Sequence, residues 1–110
     1  MKVDKNNFHK IVGQGKWVLL DFYTKNCQYC FELMPHYNQL VDYFSDPKSK
    51  NYRSDIVIAK INGDENQKIS DMYGVEQFPT VVFFGPDSSD FPVVYSFKHK
   101  FSDMHKFVEI

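Results

Sequence analysis

Cys27-Gln-Tyr-Cys30 holds the only two cysteines of the chain, three positions apart and just beyond an apolar run that ends at Tyr23. In the first turn of a helix, positions i and i+3 share a face, which brings two Cα atoms into the roughly 4.4–6.8 Å window of a disulfide. A reversible disulfide is therefore geometrically available. The unpaired N–H groups and the macrodipole at a helix N-terminus favour a thiolate, so the Cys27 pKa is expected below the free-thiol value of about 8.5. Cys27 is then the nucleophile of thiol–disulfide exchange, and Cys30, one turn deeper, resolves the mixed disulfide. The competing reading is an inert bridge or half of a metal site, because two thiolates are half of a four-thiolate zinc centre.

Asp21 is the second candidate. It interrupts Trp17-Val-Leu-Leu-Asp-Phe-Tyr23, an otherwise apolar run that reads as a strand buried on both faces. Burying an ionised carboxylate is costly, so its pKa is expected to rise by desolvation. An acid on the strand that feeds the cysteine helix can accept and return the proton of Cys30 during resolution. An Asp facing water at a strand end is the alternative. The four histidines, His9, His36, His99 and His105, have no paired metal-ligand spacing, so neither a metal nor another cofactor is called for.

These side chains need a scaffold, and the sequence outlines one. Asp4 caps an expected helix from Lys5 to Val12, closed by Gly13 to Gly15. After the Trp17 strand, Phe31, Leu33, Met34, Tyr37, Leu40, Val41 and Phe44 fall mostly at spacings of three and four, the apolar stripe of a helix from Cys27 to Phe44 kinked by Pro35. Ser45 to Asp55 is polar and aperiodic, a surface loop. Ile56 to Ile61 reads as a second buried strand, and Asp64 to Tyr73 as a short helix closed by Gly74. Thr80 to Phe84 and Val93 to Phe97 form a hairpin around Gly85-Pro-Asp-Ser-Ser89. Ser102 caps a last helix whose apolar positions run to Ile110. The order is that of an α/β sandwich with a mixed sheet.

With 110 residues, 43% of them hydrophobic, the chain is expected to form one domain. Thirteen basic and fourteen acidic residues give a formal charge of −1, without the positive field that nucleic acids or anionic lipid surfaces require. Runs such as Val81 to Phe84 fall far short of the roughly 20 apolar residues that span a bilayer, so no membrane insertion is expected. Met1-Lys2-Val3-Asp4 carries no signal-peptide pattern, and the expected organisation is a single domain, residues 1–110, excised from a longer protein and monomeric in isolation.

Leu20-Asp-Phe-Tyr23, Cys27-Gln-Tyr-Cys30, Pro35-His-Tyr37, Ala59-Lys-Ile61 and Tyr73-Gly-Val-Glu-Gln-Phe-Pro-Thr80 with Phe83-Phe84 together resemble the thioredoxin-fold domains of protein disulfide isomerases, over nearly the whole chain. The resemblance implies a thioredoxin fold, a central mixed sheet flanked by helices on both faces, and thiol–disulfide oxidoreductase or isomerase activity on protein cysteines. It implies that Pro79 is a cis-proline beside the cysteines, that Phe78 and Pro79 contact an extended substrate, and that Lys60 neighbours the buried acid. Asn26, Gln28 and Tyr29 surround the cysteines as further substrate contacts. Tyr29, Phe78 and Phe91 are candidates for an apolar patch that receives unfolded chains.

Three positions beside the cysteines depart from that pattern. Asn26 replaces the tryptophan that usually precedes the first cysteine, removing a flat apolar surface. Gln28-Tyr29 replaces Gly-His, removing a cation that would stabilise the thiolate, so the expected potential lies below the isomerase value of about −180 mV, toward about −200 to −270 mV. Lys98, His99 or Lys100 stands where isomerases carry an arginine after the last strand. Expected partners are unfolded or misoxidised proteins, with an oxidase, a reductase or glutathione to recharge the pair. The expected compartment is the endoplasmic reticulum lumen. A cytoplasmic thioredoxin- or glutaredoxin-like reductase and a redox-inert binding module of a chaperone are the alternatives.

Overall fold

The computed structural model describes residues 1–87 and 92–109. In chain order the elements are β1 (Lys2–Val3), α1 (Phe8–Ile11), β2 (Trp17–Tyr23), α2 (Gln28–Ser45), β3 (Ile56–Asn62), α3 (Gln67–Met72), β4 (Thr80–Phe84), β5 (Val93–Val94) and α4 (Phe101–Glu109). The five strands make one mixed sheet in the order β1-β3-β2-β4-β5. β3 runs parallel to both β1 and β2, while β4 runs antiparallel to β2 and β5.

The alternation of side chains along each strand divides the core in two. Val18, Leu20 and Phe22 of β2 point into a cluster with Phe8, Ile61, Ile69 and Phe84. Leu19 points to the opposite face, where Leu33, Tyr37, Leu40 and Phe44 of α2 meet Met104 and Val108 of α4. By the same period of two, Asp21 shares the face of Leu19 and looks toward α2. The Tyr37 hydroxyl locks that helix to the sheet: it reaches the backbone oxygens of Leu19 at 3.0 Å and Ala59 at 2.5 Å, one on each of two adjacent strands.

Several boundaries differ from the sequence reading. β1 was not expected; two residues are too short to show alternation, and their pairing with Lys60 and Ile61 is a tertiary event. The first helix is shorter than Lys5 to Val12 because Asp4 Oδ1 accepts from the N–H groups of Asn6 and Asn7, which makes a turn ahead of α1. α3 starts at Gln67 and not at Asp64, since Asn62 Oδ1 holds the N–H groups of Asp64 and Glu65 in another turn. α4 starts one residue before Ser102, with Lys100 O accepting from Asp103 and Met104. β5 stops at Val94, short of Phe97. Ser88 and Ser89 of the expected hairpin turn, Phe91 and Ile110 lie outside the described residues.

The largest correction concerns the α2 stripe. Phe31 and Met34 are 58% and 47% exposed, because the buried line is Cys30, Leu33, Tyr37, Leu40 and Phe44. Phe31 and Met34 flank that line and stay exposed among the described residues. Pro35 sits inside the helix.

Candidate active site

The end of β2 and the start of α2 place the two sulfurs. Asn26, between them, has a φ of +57°. This left-handed conformation is one that asparagine tolerates better than most residues. It turns the chain so that Cys27 becomes the N-cap of α2, with extended backbone and a side chain that accepts the Cys30 N–H at 3.1 Å. A sulfur in that position faces the positive end of the helix dipole and an unpaired donor, both of which favour negative charge on it.

The structure holds the pair as the Cys27–Cys30 disulfide, with Cα atoms 5.2 Å apart. Cys27 is half-buried and Cys30 is buried. On one side, Cys27 Sγ lies 3.7 Å from the backbone oxygen of Phe78. The Phe78–Pro79 peptide is cis. Tyr29, on the outer surface of the first turn, is 70% exposed, and Gln28 is exposed beside it.

Behind the disulfide, the space between α2 and the sheet contains a cavity of about 360 Å³ lined by Asp21, Asn26, Cys30, Phe31, Met34 and Lys60, among others. Asp21 is 7% exposed, and its Oδ1 has no hydrogen-bond partner. Burial pushes its carboxyl up to about 7, against the pull of the Lys60 ammonium. Lys60 is its direct neighbour across the β2–β3 pair. The lysine is exposed, and its Nζ sits 5.8 Å from the centre of the Tyr23 ring. Asp21, Cys30 and Lys60 thus open onto one cavity. Asp21 therefore does not face water, whereas Lys60 is an exposed lysine within β3.

Asn26 and Gln28 flank Cys27 in the chain and the Phe78 carbonyl lies beside its sulfur, whereas Lys98, His99 and Lys100 line a separate hollow with Tyr29, Glu32, Leu33 and His36. His36 Nδ1 accepts the Phe101 N–H there, tying α2 to α4. Among the described residues, no group of three or more His, Cys, Asp and Glu side chains could hold a metal ion, and no helix is long and apolar enough to cross a membrane. The sequence reading missed Phe31, Met34 and Asn38 as cavity walls; the helical spacing of Phe31 and Met34 signalled core, and only the placement of the neighbouring elements separates core from flank.

The thioredoxin family model matches residues 1–109. Protein disulfide-isomerase 1 of Dictyostelium discoideum is 40% identical over 88 residues, 77% of this chain and 23% of that protein. Protein disulfide isomerase-like 2-2 of rice, Oryza sativa subsp. japonica, is 33% identical over 104 residues, 94% of this chain and 26% of that protein. The chain therefore spans about a quarter of the length of these relatives. Among solved structures, the first thioredoxin domain of mouse protein disulfide-isomerase A4 superposes with a TM-score of 0.81 at 21% identity, covering 98% of this chain and 71% of that one.

Proposed function

This chain belongs to the thioredoxin family, and from that premise we propose that it is a thiol–disulfide oxidoreductase domain that exchanges Cys27–Cys30 with the cysteines of protein substrates. The observation that carries the proposal is the asymmetry of the pair: Cys27 is the half-exposed N-cap of α2, and Cys30 is buried beside Asp21.

In the reducing direction, the Cys27 thiolate attacks a substrate disulfide. One substrate sulfur leaves as thiolate, and a mixed disulfide with Cys27 remains. Asp21, ionised, takes the proton of Cys30 through the shared cavity. The Cys30 thiolate then attacks Cys27, which forms the intramolecular disulfide and expels the second substrate thiolate. Two electrons pass from the domain to the substrate, and the oxidising direction is the reverse. Lys60 tunes the acid through its charge. Phe78 and Pro79 present backbone against which an extended substrate pairs as an added strand, with Asn26, Gln28 and Tyr29 on the other flank.

The relatives named as protein disulfide isomerases support a role in the endoplasmic reticulum lumen, where disulfides persist. Unfolded or misoxidised proteins are the proposed substrates, and a further redox protein or glutathione recharges the pair.

Insulin reduction driven by dithiothreitol tests the proposal. The wild-type domain accelerates chain precipitation, and Cys27→Ser abolishes the acceleration. Cys30→Ser accumulates a mixed disulfide on Cys27 that mass spectrometry detects. A Cys27→Ser variant as active as wild type contradicts the mechanism, and a wild-type domain without activity favours the inert binding module.

A further inference from the structure

The hollow between α2 and the segment ahead of α4 is lined by more cationic than anionic groups. Its volume is about 340 Å³, with Lys98, His99 and Lys100 on one side and Tyr29, Glu32 and His36 of α2 on the other. Among the described residues, salt bridges within 4.0 Å join only Arg53 to Asp55 and His105 to Glu109. The two ammonium groups therefore meet neither Glu32 nor Asp103, the acid that lines a neighbouring hollow with Lys98. Glu32 instead accepts from Gln28 Nε2 at 3.4 Å.

The basic segment is held in place at both ends. The buried Tyr95 donates its hydroxyl proton to the Lys98 carbonyl, and the His99 ring stacks on the Tyr95 ring with centroids 5.9 Å apart. The Lys100 carbonyl accepts from Asp103 and Met104 at the entrance of α4, and the Phe101 N–H donates to His36 Nδ1 at 3.2 Å. With Nδ1 accepting, the neutral His36 ring carries its proton on Nε2, a further donor on a ring that lines the hollow. Two ammonium groups and a ring N–H suit a carboxylate. Tyr29 joins the hollow to the chemistry, since it stands between the two cysteines and lines both. Along α2, Glu32 and His36 lie about 7.5 and 13.5 Å beyond Cys27, at about 1.5 Å per residue. An extended substrate advances about 3.3 Å per residue, so side chains roughly two to four residues from the cysteine bonded to Cys27 come level with the hollow.

We infer that this hollow is a specificity subsite for acidic protein substrates: it takes an aspartate or glutamate carboxylate about two to four residues from the reacting substrate cysteine. The inference rests on the proposed exchange at Cys27 and adds a substrate class to it. A formal charge of −1 gives the molecule as a whole no pull on acids, so the preference is local.

The test uses disulfide-bonded peptides identical except for Asp or Lys at about the third residue from each cysteine. Reduction by the reduced domain is followed, and each rate is divided by that for dithiothreitol, which removes the intrinsic reactivity of the peptide. At about 50 mM salt, kcat/KM for the Asp peptide is expected to exceed that for the Lys peptide by ~10-fold, mostly through KM, because one exposed ion pair is worth up to about five-fold and two lysines take part. Near 1 M salt, where the screening length is about 3 Å, the ratio drops below ~3-fold. In Lys98→Gln with Lys100→Gln it falls below ~2-fold at low salt. In Lys48→Gln with Lys50→Gln, which removes the same charge beyond the other end of α2, it stays near the wild-type value. The ratio is read within each protein, so a general change in activity cancels.

A second readout does not depend on exchange. The Asp peptide with serine in place of cysteine is titrated into the isotope-labelled oxidised domain, and amide shifts are expected at Tyr29 and Lys98 to Lys100 that the Lys peptide does not produce. Equal ratios in wild type and the Lys98/Lys100 variant, or an equal loss in the Lys48/Lys50 variant, overturn the inference. If the wild-type domain exchanges no disulfide, the catalytic reading falls and the titration still decides the subsite: no shifts at Lys98 to Lys100, or the same shifts with both peptides, refute it.

Discussion

Replacing Asp21 by asparagine is expected to stabilise the oxidised domain at neutral pH and to flatten its stability between about pH 4 and 7. The carboxyl is buried, one oxygen lacks a partner, and its pKa stands at about 7 against an ordinary 3.8. An acid whose folded-state pKa lies above its unfolded value is held protonated by the fold. Folding then takes up a proton, and stability falls as pH rises from about 4 to about 7, levelling off above. A gap of about three pH units corresponds to roughly 4 kcal/mol, an upper bound because the cavity beside the carboxyl has room for water. A realised gain of about 1–3 kcal/mol in Asp21→Asn at pH 8 is expected. The assay is urea unfolding of the oxidised protein at a series of pH values from 4.5 to 8.5, on the order of one per half unit. Only the difference between wild type and variant is read, because burial lowers the His99 pKa and gives stability that rises with pH in an overlapping range. The disulfide removes both cysteines from the titration. Parallel stability profiles for the two proteins would refute the claim that Asp21 is desolvated, and with it the proposed proton carrier.

Two further perturbations bear on the same site. Lys60→Gln removes the charge that holds the Asp21 carboxyl down, so the pH at which the stability difference levels off moves upward; an unchanged profile would mean that the exposed ammonium is screened by solvent. Equilibration with glutathione should give a potential below about −180 mV, since Gln28 and Tyr29 supply no cation between the cysteines; a value as oxidising as about −150 mV would mean that another group stabilises the thiolate.

The elements that carry chemistry were legible because two independent patterns agreed on them. Trp17 to Tyr23 is apolar enough to demand burial on both faces, which made Asp21 conspicuous, and the start of the following stripe fixed Cys27 and Cys30 at a helix entrance. The segments that went astray depend on partners remote in sequence. Lys2–Val3 becomes a strand only because β3 lies beside it, and the starts of α1 and α3 are delayed by asparagine and aspartate side chains that satisfy nearby N–H groups. Phe31 and Met34 fit a core stripe by spacing alone.

The pH dependence of alkylation, followed separately for the two cysteines of the reduced domain by peptide mass spectrometry, tests the asymmetry on which the mechanism stands. Cys27, held at the N-cap, should react with a midpoint below about 8, and Cys30, buried beside the carboxyl of Asp21, should stay protonated to well above that pH. Two coincident midpoints at or above about 8.5 would contradict it.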